Sequence, residues 1–191
     1  GDYFDIMAVH PYQYTNQFNE HYTSIKRLPI LRDTMDRFGD SVKPIWLNEF
    51  GWAPARNKCS LEEQASLLTI GMAYYRSLEY LGIERLFWYY AKVQGSDYGL
   101  FDASGKKRPA FFAYKKVVEN LRGKHYFGEI PLPNAKVLIF SEDDPAKPVT
   151  LVAWSAEPTA VSVAIPLKTG PRKVDLTMAP TFLTVPRAEL K

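Results

Sequence analysis

One cysteine among 191 residues, Cys59, excludes an internal disulfide and any metal site built on thiolates. Histidine is almost as scarce: His10, His21 and His125 lie far apart, so no imidazole cluster for a metal ion is expected. The chain also lacks an apolar run long enough to span a bilayer, a phosphate-binding glycine loop and a basic tract suited to nucleic acid. Its 24 basic and 21 acidic side chains leave a formal charge of +3 spread along the sequence, which gives no reason to expect a nucleic-acid or membrane partner. The opening Gly-Asp-Tyr-Phe-Asp has neither the basic nor the apolar region of a signal peptide, and a single cysteine leaves the compartment open. Neither a cofactor nor a metal is expected.

What the chain has in quantity is apolar and aromatic surface, 46% and 14% of its residues, enough for a sizeable core. Residues 3–9 form an apolar run without alternation that ends at His10-Pro11, as in a strand covered on both faces. Apolar residues then recur at helical intervals over 18–38, with Pro29 predicting a break or kink inside that helix. A second buried strand is expected over Ile45–Phe50, and Ser60-Leu-Glu-Glu63 reads as a capping box that opens a helix running to residue 81, stopped by Gly82. A third strand is predicted over 85–91, and a helix starting at Pro109 over Pro109–Leu121. Strand and helix thus alternate three times, which implies parallel pairing and gathers the residues that follow each strand along one rim.

After Gly123 the pattern changes to short β-rich runs at 135–140, 149–154, 161–165, 174–176 and 182–185, with an exposed acidic hairpin tip at 141–148. A second, antiparallel region with one wet face is expected there. Two domains follow, residues 1–123 and 124–191.

The sharpest feature is Pro44-Ile-Trp-Leu-Asn-Glu-Phe-Gly-Trp52, where a buried strand ends in the carboxylate of Glu49 beside aromatic rings. An ionised acid there is costly unless paired or used, and flat rings beside it suit the apolar faces of a sugar. A Glu paired with a base at a strand end would look the same. The other two rims carry His10-Pro11-Tyr12 and Trp88-Tyr89, so parallel pairing would let His10, Tyr12, Glu49 and Trp88 converge. Taken singly, Tyr12 and Trp88 also fit packing, and His10 a strand-end cap. Together they fit a carboxylate nucleophile, Glu49, oriented by Tyr12, with His10 holding a substrate hydroxyl or a neighbouring carboxylate and Trp88 flooring a sugar site.

On these motifs the chain resembles the C-terminal part of a clan A retaining glycoside hydrolase. In that clan a His-x-Tyr follows the sixth strand, the nucleophilic Glu ends the seventh and an aromatic residue ends the eighth. Tyr98-Gly-Leu-Phe-Asp-Ala-Ser-Gly105, followed by Lys107-Arg-Pro-Ala-Phe-Phe-Ala-Tyr114, is similar to the clan's passage into its closing helix. The region behind it is similar to the small sandwich of family thirty-nine xylosidase-like enzymes, and the barrel motifs are shared with family five.

The resemblance implies an α/β fold, the last three βα units of a (β/α)8 barrel followed by a small antiparallel β-sandwich. It implies a carbohydrate substrate, Glu49 as nucleophile, and His10, Tyr12, Trp52 and Trp88 as substrate-binding residues. A secreted or periplasmic setting follows from the resemblance alone. The clan's second Glu, the general acid/base after the fourth strand, has no counterpart in a chain that opens at the sixth. Three βα units also leave an open barrel edge, so a missing N-terminal half or self-association is expected to complete it. A non-catalytic carbohydrate-binding or assembly module on the same scaffold is the alternative reading.

Overall fold

The computed structural model describes residues 3–190, and two compact units divide the chain at residues 1–114 and 115–191. In the first unit, strands β1 (Met7–Val9), β2 (Ile45–Phe50) and β3 (Ile83–Trp88) pair in parallel in that order. Met7 aligns with Ile45, and Phe50 with Trp88, so the carboxyl ends of all three strands share one edge.

The helices between the strands follow from the apolar spacing. Helix α1 (Thr23–Arg37) buries Ile25, Leu28 and Met35 on one face. It runs through Pro29 without interruption, contrary to the predicted break: Pro29 is exposed, and its ring costs the helix one amide bond while the buried face on the other residues is kept. Residues 18–22, also expected to be helical, instead form the loop before α1, where the Asn19 amide donates to Oε1 of buried Gln13 at 2.8 Å.

A four-residue helix that the sequence did not announce, α2 (Pro54–Asn57), follows β2. Helix α3 (Leu61–Ser77) opens on the expected capping box: the Glu63 amide donates to Ser60 Oγ at 3.1 Å and the Ser60 amide to Glu63 Oε2 at 2.6 Å. Its buried face meets the aromatic core so closely at Gly71 that a Cβ there would lie 3.0 Å from two ring carbons of Trp52. A 3-10 turn, Glu79–Leu81, and left-handed Gly82 carry the chain into β3.

Two strands are shorter or shifted relative to their sequence signals. β1 has three residues where a seven-residue run, six of them apolar, suggested a longer strand, because only those three align with β2. β3 ends at Trp88, before the predicted stretch to 91. After the Tyr89 amide donates to the Phe50 carbonyl at 2.9 Å, the chain leaves the sheet and bonds to its own return: Phe101 N to Ala91 O and Val93 N to Phe101 O, each 2.9 Å. The peptide bond between Tyr89 and Tyr90 is cis. Helix α4 (Pro109–Leu121) follows.

The second unit holds an antiparallel sheet in the order β4 (His125–Glu129), β5 (Ala135–Ser141), β6 (Val149–Ser155), β9 (Thr181–Val185) and a two-stranded sheet of β7 (Val161–Ile165) with β8 (Arg172–Leu176). Val137, Ile139, Leu151 and Val185 from the first sheet share a core with Ile165 and Leu176 from the second. The expected wet face is missing at the centre, where β6 is buried at every residue. Its polar side chains are satisfied there: Lys124 Nζ donates to Thr150 Oγ1 at 2.6 Å, and Ser155 Oγ donates to the carbonyls of Glu157 and Thr159 at 2.9 Å. Among the described residues no helix is long and apolar enough to cross a membrane.

Candidate active site

A cleft of about 800 Å³ opens at the carboxyl edge of the parallel sheet and is lined by residues from the loop behind each strand. Glu49 lies near the end of β2 with its side chain one-third exposed. Its Oε2 accepts a hydrogen bond from the Tyr12 hydroxyl at 3.1 Å, and His10 Nδ1 stands 3.5 Å from the same oxygen, beyond an ordinary hydrogen bond but close enough for a charge interaction. Burial, followed by the negative charge of Glu49 and the bond to it, pushes the Tyr12 phenol well above its ordinary range, so this hydroxyl keeps its proton and acts as a donor. Three of the residues singled out in the sequence, His10, Tyr12 and Glu49, therefore meet around one carboxylate oxygen.

The two tryptophans singled out with them are placed differently. Trp52 is 1% exposed and Trp88 8%, their rings stack at 6.3 Å, and neither lines the cleft. The Trp88 indole donates to the Tyr98 carbonyl at 2.9 Å, which fixes the loop above it. The rings that face the cleft are tyrosines. Tyr12 lies parallel to Tyr14 at 6.1 Å and edge-on to Tyr89 and Tyr98 at 6.0 and 5.7 Å. Tyr14 carries the Arg56 guanidinium over its own ring at 4.0 Å. The signal for Tyr14 was available, since residues two apart on an extended segment project to the same side.

Three buried polar side chains hold these loops. Asn57 Nδ2 donates to the carbonyls of Gln13 and Thr15 at 3.0 Å, while its Oδ1 accepts from the Ala53 amide at 2.9 Å, tying the loop behind β1 to the loop behind β2. Gln64 Nε2 donates to the carbonyls of Trp52, Asp97 and Tyr98 at 2.6, 3.1 and 3.3 Å, tying the loop behind β2 to the loop behind β3. Arg108 Nη1 donates to the carbonyls of Asp97 and Gly99 and pairs with Asp97 Oδ1 at 2.8 Å. The Tyr75 hydroxyl adds a bond to the Pro11 carbonyl at 2.9 Å. None of these was singled out in the sequence; the signal available for Gln64 was a polar residue one turn before Leu67 and Leu68 on the apolar face of α3.

Among the described residues no group of three or more His, Cys, Asp or Glu side chains could hold a metal ion. The arrangement offers a carboxylate held in one orientation by a neutral donor, in a cleft walled by rings and open to solvent on one side. Such a carboxylate is suited to nucleophilic attack on a bound carbon.

A family model described as the glycosyl hydrolase catalytic core matches residues 2–114. A family 39 glycoside hydrolase from the gut symbiont Bacteroides cellulosilyticus WH2 has a similar structure, with a TM-score of 0.78 at 20% identity over 96% of this chain and 45% of its own. A glucosidase from Croceicoccus marinus gives a TM-score of 0.56 at 13% identity over 92% of this chain and 39% of its own. A family 44 xyloglucanase from Paenibacillus polymyxa gives 0.52 at 13% identity over 95% of this chain and 45% of its own. The chain therefore spans less than half the length of these solved structures, and at such identities the likeness is one of fold. No curated protein is similar enough to count as a match.

Proposed function

The chain belongs to the glycosyl hydrolase catalytic core family, and from that premise we propose that it carries the nucleophile of a retaining glycoside hydrolase, Glu49. In this reading β1, β2 and β3 are the sixth, seventh and eighth strands of a (β/α)8 barrel, and residues 124–191 are a β-sandwich appended to it. The observation that carries the proposal is the bond from the neutral Tyr12 hydroxyl to Glu49 Oε2 at 3.1 Å, at the carboxyl edge of a parallel sheet where such sites form.

The retaining route places two carboxyl groups about 5–5.5 Å apart. One attacks the anomeric carbon to form a glycosyl ester as the leaving oxygen takes a proton from the other. The second group then activates water, which releases the sugar with its configuration retained. Glu49 takes the first part. Tyr12 holds the attacking oxygen in place, and Tyr89 and Tyr98 offer ring faces to the sugar; Trp88, stacked on Trp52, holds the Tyr98 carbonyl. The cleft's other carboxylate, Asp97, is engaged by Arg108 at 2.8 Å, and in this reading it anchors the loop. The acid/base therefore comes from outside these residues, supplied by the remainder of a barrel on the same polypeptide, a second polypeptide or another copy.

Labelling tests the assignment. A 2-fluoro glycoside with a good leaving group, presented to the chain together with a complementing barrel half, should esterify Glu49, and peptide mass spectrometry should find the mass on that residue and none in Glu49→Gln. Turnover of an aryl glycoside by the 191-residue chain alone would place the acid within it and sink this division of labour. Sugar binding that survives in Glu49→Ala, with no labelling in any combination, would favour a carbohydrate-binding module.

A further inference from the structure

We propose that the cleft beside Glu49 takes a glycan bearing an anionic substituent, a carboxylate or a sulfate, and that Arg56 is the residue that recognises it. The inference rests on the glycosidase reading of the cleft and adds the class of substrate. Arg56 projects from α2 into the same cleft as Glu49. Its guanidinium lies 4.0 Å from the centre of the Tyr14 ring, Tyr14 is parallel to Tyr12, and Tyr12 holds Glu49. Cation and nucleophile thus belong to different rings of one two-tyrosine platform, and an anion on Arg56 stands apart from the carbon that Glu49 attacks.

The surrounding charges leave Arg56 its binding capacity. Asp97 is taken by Arg108, Glu49 by Tyr12 and His10, and among the described residues no carboxylate forms an ion pair with Arg56. Burial raises the phenol of neighbouring Tyr98, and the Arg56 guanidinium works against that rise, so its positive charge is felt inside the cleft. A guanidinium laid on an aromatic face keeps a fixed plane, and Arg56, which bonds to the Tyr98 phenol, has five N–H donors in all and so keeps others for an anion. A second cation, Lys92, lines an adjoining hollow of about 420 Å³ that shares Tyr89 with the cleft, so the positive charge continues along the path a longer chain would follow.

The test is an NMR titration of the ¹⁵N-labelled 191-residue protein with methyl β-glucoside, methyl β-glucuronide and methyl β-glucoside 6-sulfate, which differ only at the sixth carbon of the sugar. At least one charged glycoside should bind about tenfold more tightly than the neutral one, as a charge-assisted bond predicts. Arg56→Met should abolish that advantage and Arg56→Lys keep part of it, and salt raised through about 0.1 M should weaken it. Arg56 is exposed, so both variants should retain the parent circular dichroism spectrum. Preference for the carboxylate identifies a uronate and preference for the sulfate a sulfated sugar. Equal binding of all three glycosides, no binding of either charged one, or a preference that survives in Arg56→Met overturns the proposal. Inorganic sulfate binding as well as the sulfated glycoside would indicate an adventitious ion only and overturns it too. Binding needs no turnover, so failure here is separate from failure to label Glu49.

Discussion

Tyr12 reaches across 37 positions of sequence to donate its hydroxyl to Glu49 at 3.1 Å, and that single bond joins the loop behind β1 to the acid near the end of β2. Its value lies in orientation. A bond from a neutral donor to a carboxylate contributes roughly 1.5–3 kcal/mol, and here it also fixes which oxygen faces the cleft. Tyr12→Phe keeps the ring and its contacts with Tyr14, Tyr89 and Tyr98 while removing only the donor. We expect Glu49 to be labelled by a 2-fluoro glycoside about 10- to 100-fold more slowly in this variant, with the circular dichroism spectrum of the parent and a melting temperature lower by several degrees. A labelling rate equal to that of the parent protein would show that Tyr12 does not position the nucleophile.

The same burial sets how the fold responds to alkali. Burial pushes the phenols of Tyr12 and Tyr75 above their ordinary value of 10.0, with the Glu49 charge adding to the rise at Tyr12. Burial likewise pushes the Cys59 thiol from 9.0 up to about 11. As pH rises past those ordinary values, the unfolded chain releases protons that the folded chain still holds, so stability falls. The contribution of these groups is complete below the unfolded pKa values and is lost as pH climbs through the folded ones. Melting followed by circular dichroism should therefore give a flat melting temperature up to about pH 8.5 and a decline above about pH 10. Absorbance at 295 nm should show part of the tyrosine population ionising only as the protein unfolds. A melting temperature that holds through pH 11 would contradict these burials.

Much of the parallel unit could be read from its periodicity because each signal there was local. The capping box at Ser60, the apolar run of β2 and the proline opening α4 each act within a few residues, and each appears where expected. The convergence of His10, Tyr12 and Glu49 was legible for a related reason, since parallel pairing forces the residues behind consecutive strands onto one edge. What escaped depended on contacts distant in sequence. Asn57 and Arg108 look like surface polar residues until the loops they bind are placed around them. Trp52 and Trp88 carry a residue type suited to sugar stacking, but their depth is set by packing with α3 and with each other. The buried second face of β6 was equally invisible, because Thr150 and Ser155 look solvent-facing until their bonding partners are known.

Gln64 gives the clearest test of how the cleft is held. It is fully buried, and its Nε2 is the common donor to the carbonyls of Trp52, Asp97 and Tyr98. Gln64→Leu removes that donor and leaves the three carbonyls without it, a loss of roughly 1–3 kcal/mol. Gln64→Glu is more informative, because the introduced carboxyl has nearly the same shape but when ionised turns acceptor against acceptor in a site closed to water. Its folded pKa must rise above the unfolded value of about 4.3, so the variant is least impaired at acid pH, where the protonated group can still donate. The deficit should grow as pH rises from about 4 and reach roughly 3–5 kcal/mol near neutrality, while that of Gln64→Leu stays level. Urea denaturation of both variants at pH 4.5 and 7.5 checks this. Parallel behaviour of the two across that range would mean that the Gln64 side chain is hydrated and does not clamp the loops.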